Sequence, residues 1–211
     1  MTNLIVDLLG IRKYINALSC WRNLFLFKLF GFKIGYHFRG IGSIYLKISK
    51  NHDSLIIGNN FILVGGGFRN TLSRNAMSCI QVEKGASLKI GDDVRMSDVS
   101  IWAKTAIEIG NFVTIGADTI IFDSNSHPLD WSIRRNETKE KEKTQRMIRH
   151  LPIIIEDDVF IGTRCIICKG VRIGARSIIA AGSVVVSDIP SDVIAGGNPC
   201  KIIKYNKYDS H

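Results

Sequence analysis

The chain has 211 residues, 45% of them hydrophobic and 22% charged, which excludes an intrinsically disordered protein. Its 19 Gly residues against 4 Pro residues indicate a backbone that turns often and exclude a protein built of long helices. The net charge of +9 favours anionic partners, but the excess of Lys and Arg over Asp and Glu is concentrated at the two ends, in residues 12–39 and 201–207. That separation argues against one continuous nucleic-acid-binding stripe, so no nucleic acid partner is expected.

Residues 1–43 are expected to form an N-terminal helical cap. Apolar residues recur there at helical spacing, first as Leu4, Leu8, Ile11, Ile15 and Leu18, then as Trp21, Leu24, Phe27 and Phe30 among basic neighbours. One interpretation is a helix or pair of helices packed over the open end of the fold that follows. The other is an amphipathic basic helix that lies on a membrane surface.

The expected location is the cytoplasm. The five Cys residues are odd in number and scattered, which favours a reducing compartment. Asp7, Arg12 and Lys13 interrupt the apolar start, so no cleaved signal is expected, and no run approaches the ~18 to 20 apolar residues that span a bilayer. Under the second interpretation of the cap, the protein also contacts the inner membrane face peripherally.

A six-residue repeat dominates the rest of the chain. Aliphatic residues occupy every sixth position from 155 to 185, namely Ile155, Ile161, Ile167, Ile173, Ile179 and Val185. Ile109, Ile115 and Ile121 keep the same step. A period of six fits neither an α-helix nor a half-buried strand. It predicts an all-β solenoid of triangular coils, each with three short strands and three turns, whose repeated aliphatic side chains stack inside.

Two interruptions of the repeat mark surface loops. The first lies within residues 65–79, and the second is a loop insert over residues 122–152 that contains a highly charged run. The predicted arrangement is the cap over 1–43, the solenoid over 44–204 and a tail over 205–211. Because the interior is lined with aliphatic side chains, a reactive site must lie on the outer surface, where a loop folds over a neighbouring coil or subunit.

Two motifs accompany the repeat. His127-Pro128 lies in the insert, and the C-terminal segment reads Ala180-Ala-Gly-Ser-Val-Val-Val-Ser-Asp-Ile-Pro190, then Ala195-Gly-Gly-Asn-Pro-Cys-Lys-Ile-Ile-Lys204. In these features the chain resembles the left-handed parallel β-helix family of hexapeptide-repeat acyltransferases, in the sugar O-acetyltransferase branch that includes galactoside and maltose acetyltransferases. The resemblance implies a left-handed coil, a homotrimer with active sites between adjacent subunits, and acetyl-CoA as the acyl donor. A C-terminal helix is expected after the coils.

The resemblance implies that His127 is the general base. A neutral imidazole can take the proton of a substrate hydroxyl as it attacks the thioester of acetyl-CoA. Asp123 is expected to orient the His127 ring, with Asn125, Asp130 or a backbone carbonyl as alternatives. Asn125 and Asp130 are also the expected substrate-binding residues.

The expected CoA contacts lie in the C-terminal coils. The resemblance places the pantetheine arm at Thr163 and Ala181 and the phosphates at Lys201 and Lys204. The chain departs from the family twice: no Asn stands near residues 96–98, where relatives have one, and Ser187 replaces a basic residue of some relatives. These departures bear on the acceptor contacts and on one phosphate contact.

The predicted function is transfer of acetyl from acetyl-CoA to a sugar hydroxyl, in surface polysaccharide or oligosaccharide biosynthesis. The alternatives are a xenobiotic (antibiotic) acetyltransferase, which shares the fold and base, and a non-catalytic solenoid scaffold. No metal is expected. Cys165 and Cys168 have the spacing of half a zinc site, but the repeat explains them as packing residues, and the His residues lack a close ligand pair.

Overall fold

The computed structural model describes residues 10–49, 55–66, 69–74 and 76–206. The described helices are α1 (Ile11–Leu29), α2 (Trp131–Arg134) and α3 (Lys141–Gln145). The first ten strands are β1 (Lys33–Ile34), β2 (Arg39–Gly42), β3 (Ile44–Ile48), β4 (Leu55–Ile57), β5 (Ile62–Gly65), β6 (Ser78–Val82), β7 (Ser87–Ile90), β8 (Arg95–Ser97), β9 (Ser100–Ala103) and β10 (Ala106–Ile109). The others are β11 (Thr114–Ile115), β12 (Ile120–Phe122), β13 (Ile153–Ile155), β14 (Phe160–Ile161), β15 (Ile166–Ile167), β16 (Arg172–Ile173), β17 (Ile178–Ile179), β18 (Val184–Val185), β19 (Val193–Gly196) and β20 (Lys201–Tyr205).

Three sheets form the walls of a triangular solenoid, and the chain visits them in rotation. The first sheet has the order β1-β4-β7-β10-β13-β16, the second β2-β5-β8-β11-β14-β17-β19-β20, and the third β3-β6-β9-β12-β15-β18. Neighbouring strands are parallel up to β19. The sequence prediction of an all-β solenoid is therefore confirmed.

The six-residue repeat sets the register of the coils. Ile155 pairs with Ile173, and Ile161 pairs with Ile179, so equivalent residues lie one coil apart. All of the repeated side chains from 155 to 185 are buried in one continuous aliphatic core. Burial of each such side chain stabilises the fold by about 1.5–3 kcal/mol, and this gain repeats with every coil.

The loop insert leaves this register intact. Ile109, before the insert, pairs with Ile155, after it, and Ile121 pairs with Ile167 in the same way. The insert therefore projects from a rigid ladder at the turn between the third and first sheets. Residues on its stem are held by the coils above and below.

Glycines allow the turns between the second and third sheets to stack closely. A Cβ atom on Gly116 would lie 2.6 Å from the backbone nitrogen of Thr163, and one on Gly162 would lie 2.6 Å from that of Ala181. Contacts this short are forbidden, so only Gly fits at these two positions. The backbones of Thr163 and Ala181 consequently lie in stacked turns of successive coils.

Helix α1 lies on the free side of β2, the first strand of the second sheet. The Asn23 side chain is buried and donates to the carbonyls of Gly40 and Gly42, at 2.8 and 3.0 Å. The hydroxyl of Ser19 accepts a hydrogen bond from the Gly42 nitrogen at 3.0 Å. Phe27 packs between Phe32 and Phe38. The helix thus covers the backbone groups that no further strand pairs.

The face that α1 buries differs from the predicted one. Ile11, Ile15 and Leu18, expected on the apolar side, are exposed, whereas the polar Ser19 and Asn23 are buried together with Phe27, which is one of the predicted apolar positions. Polar residues occupy the packed face because their side chains form hydrogen bonds with the backbone groups of β2 that no other strand pairs. Leu4 and Leu8 lie outside the described residues. The ladder itself begins at Lys33, within the segment predicted as the helical cap.

The prediction of a C-terminal helix is wrong. Residues 201–205 form β20, which pairs antiparallel with β19 through Gly196–Lys201 and Val193–Tyr205. The adjacent β-branched residues Ile202 and Ile203 favour an extended chain, and a ready-made strand is available as a partner. Of the predicted tail, residues 207–211 lie outside the described residues.

Candidate active site

His127 projects from a tight turn at the start of the insert. The stem is closed by a bridge between Ser124 and His150 and by a hydrogen bond from the Asn125 nitrogen to the Arg149 carbonyl, at 3.1 Å. Ser126 has a positive φ of 63°, and its nitrogen donates to the Ser124 hydroxyl. This turn leaves the His127 side chain 64% exposed. The imidazole is therefore accessible to a substrate while its backbone is fixed.

Glu137 holds the His127 ring. The Nδ1 atom of His127 lies 2.8 Å from Oε2 of Glu137, whose side chain is 19% exposed. Nε2 of His127 makes no hydrogen bond within the described part of the chain. Arg134 keeps the insert folded back, since its guanidinium donates to the carbonyls of Pro128 and Leu129. A carboxylate on one ring nitrogen and an open second nitrogen are the arrangement that a general base requires.

The carboxylate that contacts the His127 ring is Glu137, and the predicted Asp123 does not reach it. The Asp123 side chain is fully buried, and its two oxygens accept the backbone N–H groups of Lys104, Thr105 and Ala106 at 2.7–2.8 Å. Burial raises the pKa of Asp123, and the three hydrogen bonds oppose that rise. Asp123 therefore fastens the base of the insert to the preceding coil.

The two predicted substrate-binding residues flank His127. Asp130 caps α2: its Oδ1 accepts the Ser132 nitrogen at 2.8 Å and the Ser132 hydroxyl at 2.6 Å. These hydrogen bonds lower the pKa of Asp130. Asn125 takes part in the stem through its backbone, and its carbonyl accepts the His127 nitrogen at 2.7 Å. Both residues therefore form hydrogen bonds within the loop, Asn125 at its stem and Asp130 at the start of α2.

The predicted CoA contacts lie at a different corner of the solenoid. Thr163 and Ala181 occupy stacked turns between the second and third sheets, whereas His127 lies at the turn between the third and first sheets. The third sheet separates these two turns. Lys201 and Lys204 are exposed on β20, beside the last coil. Within one chain, the structure does not bring His127 together with Thr163 or Ala181.

The loop within residues 65–79 is fastened to the same corner as Thr163. Oδ1 of Asp98 accepts the Gly66 nitrogen at 2.6 Å, and Oδ2 of Asp118 accepts both the backbone nitrogen and Nε of Arg74 at 3.0 Å. Nε of Arg164 lies 3.9 Å from the same Asp118 oxygen. The region of residues 96–98, where relatives have an Asn, therefore carries a buried carboxylate that holds a loop.

No metal centre is formed by the residues that the structure describes, because no group of three His, Cys, Asp or Glu side chains converges there. Cys165 is buried, and burial raises its pKa and that of Cys168. Burial thus disfavours the thiolate form of both residues, as in cysteines that serve in packing.

A family profile described as a hexapeptide repeat of succinyl-transferase matches residues 152–187. A solved hexapeptide-repeat acetyltransferase of Vibrio cholerae, complexed with acetyl coenzyme A, is 38% identical; the match covers 62% of this chain and 69% of that one, with a TM-score of 0.52. The chain belongs to the hexapeptide-repeat acetyltransferase family. Its solenoid is the left-handed β-helix of that family.

Two other relatives of this hexapeptide-repeat protein differ in the atom that they acetylate. A galactoside O-acetyltransferase of Lactococcus lactis is 37% identical over 98 residues, 46% of this chain and 42% of that protein. A 2,3,4,5-tetrahydropyridine-2,6-dicarboxylate N-acetyltransferase of Clostridium perfringens is 58% identical over 53 residues, 25% of this chain and 22% of that protein. The chain therefore matches less than half the length of either. No helix in the described ranges is long and apolar enough to cross a membrane.

Proposed function

We propose that this protein transfers an acetyl group from acetyl-CoA to a sugar hydroxyl, with His127 as general base. The observation that carries the proposal is the 2.8 Å contact of His127 Nδ1 with Glu137 on an exposed loop. Glu137 favours the tautomer with hydrogen on Nδ1, which leaves the Nε2 lone pair for the substrate. The family membership and the acetyl-CoA complex of the Vibrio relative support the donor.

The proposed reaction moves one proton from the acceptor hydroxyl, through His127, to the sulfur of CoA. His127 removes the proton of the acceptor hydroxyl, the hydroxyl oxygen bonds to the acetyl carbonyl carbon, and the C–S bond breaks. The imidazolium returns the proton to the departing sulfur, which leaves as the free thiol of CoA. A positioned base of this kind contributes roughly 10²- to 10⁴-fold in rate.

The active site is proposed to lie between two copies of the chain in a homotrimer. Thr163 and Ala181, proposed to line the pantetheine arm, lie at a different corner from His127, across the third sheet, and this supports a site completed by a second copy. A second copy whose corner bears Thr163 faces the insert of the first and completes the site. Lys201 and Lys204, proposed to hold the CoA phosphates, carry charges that suit them.

Helix α1 is proposed to rest on an anionic membrane surface and so bring the enzyme to a lipid-linked acceptor. The face opposite β2 presents Tyr14, Leu18, Trp21 and Phe25, all more than half exposed. Residues 8–52 contain eight Lys or Arg and no Asp or Glu. Apolar and aromatic side chains beside unopposed positive charge suit the headgroup region of acidic lipids.

Vesicle sedimentation tests the membrane contact. We expect wild type to sediment with phosphatidylglycerol-containing vesicles and not with pure phosphatidylcholine, and salt to weaken the binding. Trp21→Ser should abolish it, whereas Trp131→Ser, which removes an exposed Trp of the insert, should not. Equal sedimentation of the two variants would refute this contact.

The transfer itself is tested with matched histidine variants. Acetyl-CoA binding is measured by calorimetry, and thiol release is measured with sugar acceptors. His127→Asn should bind acetyl-CoA normally but release no thiol. His37 is a control because it is also exposed and its Nδ1 lies 3.0 Å from the Asn60 side chain, on another turn. Failure of wild type to bind acetyl-CoA, or unchanged thiol release by His127→Asn, would overturn the proposal.

Transfer to an amine is the second candidate, favoured by the 58% identity with the N-acetyltransferase segment. The same imidazole could deprotonate an ammonium or the attacking amine. Parallel assays with a sugar and its amino-sugar counterpart separate the two reactions.

A further inference from the structure

A second polar feature lies at the stem of the insert. It is a cavity of about 440 Å³ lined by Glu83, Lys84, Lys104, Lys141, Gln145 and His150. Lys84 and Lys104 come from turns of the two coils before the insert, and Lys141 and His150 come from the insert itself. The mechanism proposed above uses none of these residues.

The three lysines of this cavity are not ion-paired in the described part of the chain. Lys84, Lys104 and Lys141 form no ion pair with any other residue in the described ranges. The ammonium group of Lys104 lies 4.7 Å from the centroid of the Trp102 ring, a contact that leaves its donors open.

The only carboxylate in the lining is already engaged. Oε1 of Glu83 accepts hydrogen bonds from Nε2 of Gln81 at 2.6 Å and from Nε1 of Trp102 at 3.2 Å. Three positive groups therefore share one cavity with a single carboxylate that is held by its neighbours. An anion is the ligand that this charge balance favours.

His150 gives an independent sign that a partner is missing. Its Nδ1 is the one buried side-chain nitrogen or oxygen in the described part of the chain that has no hydrogen-bond partner. Burial and the nearby Lys104 lower the pKa of His150, while Asp123 opposes this. Buried polar atoms of native proteins are paired as a rule, so His150 marks a part of the stem whose polar groups are not all satisfied within one copy of the chain.

The position of the cavity relates it to the reaction. His150 is bridged to Ser124, and three residues of chain, about 11 Å at most, separate Ser124 from His127. Along the solenoid, the cavity lies on the coils before the insert, whereas Thr163 and Ala181 lie on the coils after it. Within one chain, the cavity is therefore separate from the proposed pantetheine contacts.

We infer that this cavity binds an anionic group, a phosphate or a carboxylate, of the acyl acceptor. Lys104 and Lys141 hold the anion between the coil and the insert, and the acetylated hydroxyl lies at His127. The role as an acceptor site rests on the proposed acetyltransferase function, whereas the anion site itself does not. The acceptor is therefore an acidic or phosphorylated sugar rather than a neutral one.

Calorimetry at low ionic strength with glucose 6-phosphate, glucuronate and glucose tests this inference. Wild type should bind at least one of the anionic sugars ten times more tightly than glucose. Lys104→Gln combined with Lys141→Gln should lose at least tenfold of that affinity. Lys89→Gln, which removes one exposed charge from the first sheet, should stay within twofold.

The sugar that binds most tightly identifies the anionic group. Preference for glucose 6-phosphate assigns a phosphate, and preference for glucuronate assigns a carboxylate. Equal binding of all three sugars, or unchanged affinity in a double variant whose thermal unfolding matches wild type, overturns the anion site. Acetyl-CoA binding, measured on the same samples, should be unchanged in the double variant. Its failure in wild type would defeat the proposed transferase while leaving an observed anion site in place.

Discussion

Glu137 and His127 are ten residues apart in the chain, yet their side chains meet at 2.8 Å across the fold of the insert. The contact fixes the plane of the imidazole and favours hydrogen on Nδ1. Because the remaining ring nitrogen carries the lone pair, the direction in which His127 accepts a proton is set by a residue that need not touch substrate.

Glu137→Gln should lower kcat by roughly 10- to 100-fold and leave the KM for acetyl-CoA within twofold, because only the positioning of the base is lost. Glu137→Asp should recover part of the rate, since the carboxylate is retained. The variants should unfold at the wild-type temperature. Steady-state kinetics with thiol detection provide the measurement, and a loss confined to KM would contradict a positioning role.

A site shared between copies predicts complementation. His127→Asn and Ala181→Trp should each be inactive, the first without a base and the second with an indole in the proposed pantetheine path. Subunits mixed by unfolding and refolding together should regain activity, because some interfaces then combine an intact His127 with an intact Ala181. No recovery in mixed trimers verified by mass spectrometry would place both residues in one subunit's site.

Asp123→Asn should destabilise the protein, because the amide nitrogen would face backbone N–H groups that now donate to a carboxylate. The expected loss is about 2–4 kcal/mol in the free energy of unfolding. Urea denaturation provides the measurement. Asp130→Asn is the control and should cost far less, since Asp130 is an exposed cap. Wild-type stability of Asp123→Asn would show that the stem does not depend on these bonds.

His150 predicts a pH dependence of stability. Its folded-state pKa is lowered from the ordinary value of 6.5, so the unfolded chain binds the proton more readily. The contribution of the neutral ring is complete above about pH 6.5 and is lost as the pH falls through the lowered value. Urea midpoints at about pH 7.5 and about pH 5 should differ less in His150→Asn than in wild type. A steeper decline in the variant would reverse the assigned direction.

The solenoid could be predicted from the sequence because one six-residue period recurs through its coils. Ile109, Ile115 and Ile121 pair with Ile155, Ile161 and Ile167 across the insert, as their spacing requires. The last strand was missed because Lys201–Tyr205 carries no repeat and its pairing with β19 is a tertiary effect. For α1, helical spacing identified the helix but not which face packs, since that depends on open backbone groups of β2.

The candidate site was predictable only in part. His127 stood out beside Pro128 after an in-register Ile121, but Glu137 lies in a run where Glu137, Glu140 and Glu142 alternate with lysines. Nothing in the sequence of that run indicates which carboxylate contacts His127; the turn after α2, where the Glu137 nitrogen donates to the Arg134 carbonyl, places Glu137 there. The cavity at the stem joins residues from two coil turns and from the insert, and neither the repeat nor the spacing of the lysines connects them.

The covering of both ends of the second sheet has a consequence for how the molecule behaves in concentrated solution. A stack of parallel strands can in principle extend indefinitely by adding another molecule to either end, as a fibre does. Here Asn23 and Ser19 of α1 occupy the hydrogen-bonding groups of β2, and β20 ends the other side with Lys201 and Lys204. One end of the second sheet therefore offers few free backbone groups to another molecule, and at the other end the charges of Lys201 and Lys204 oppose the addition of a further strand.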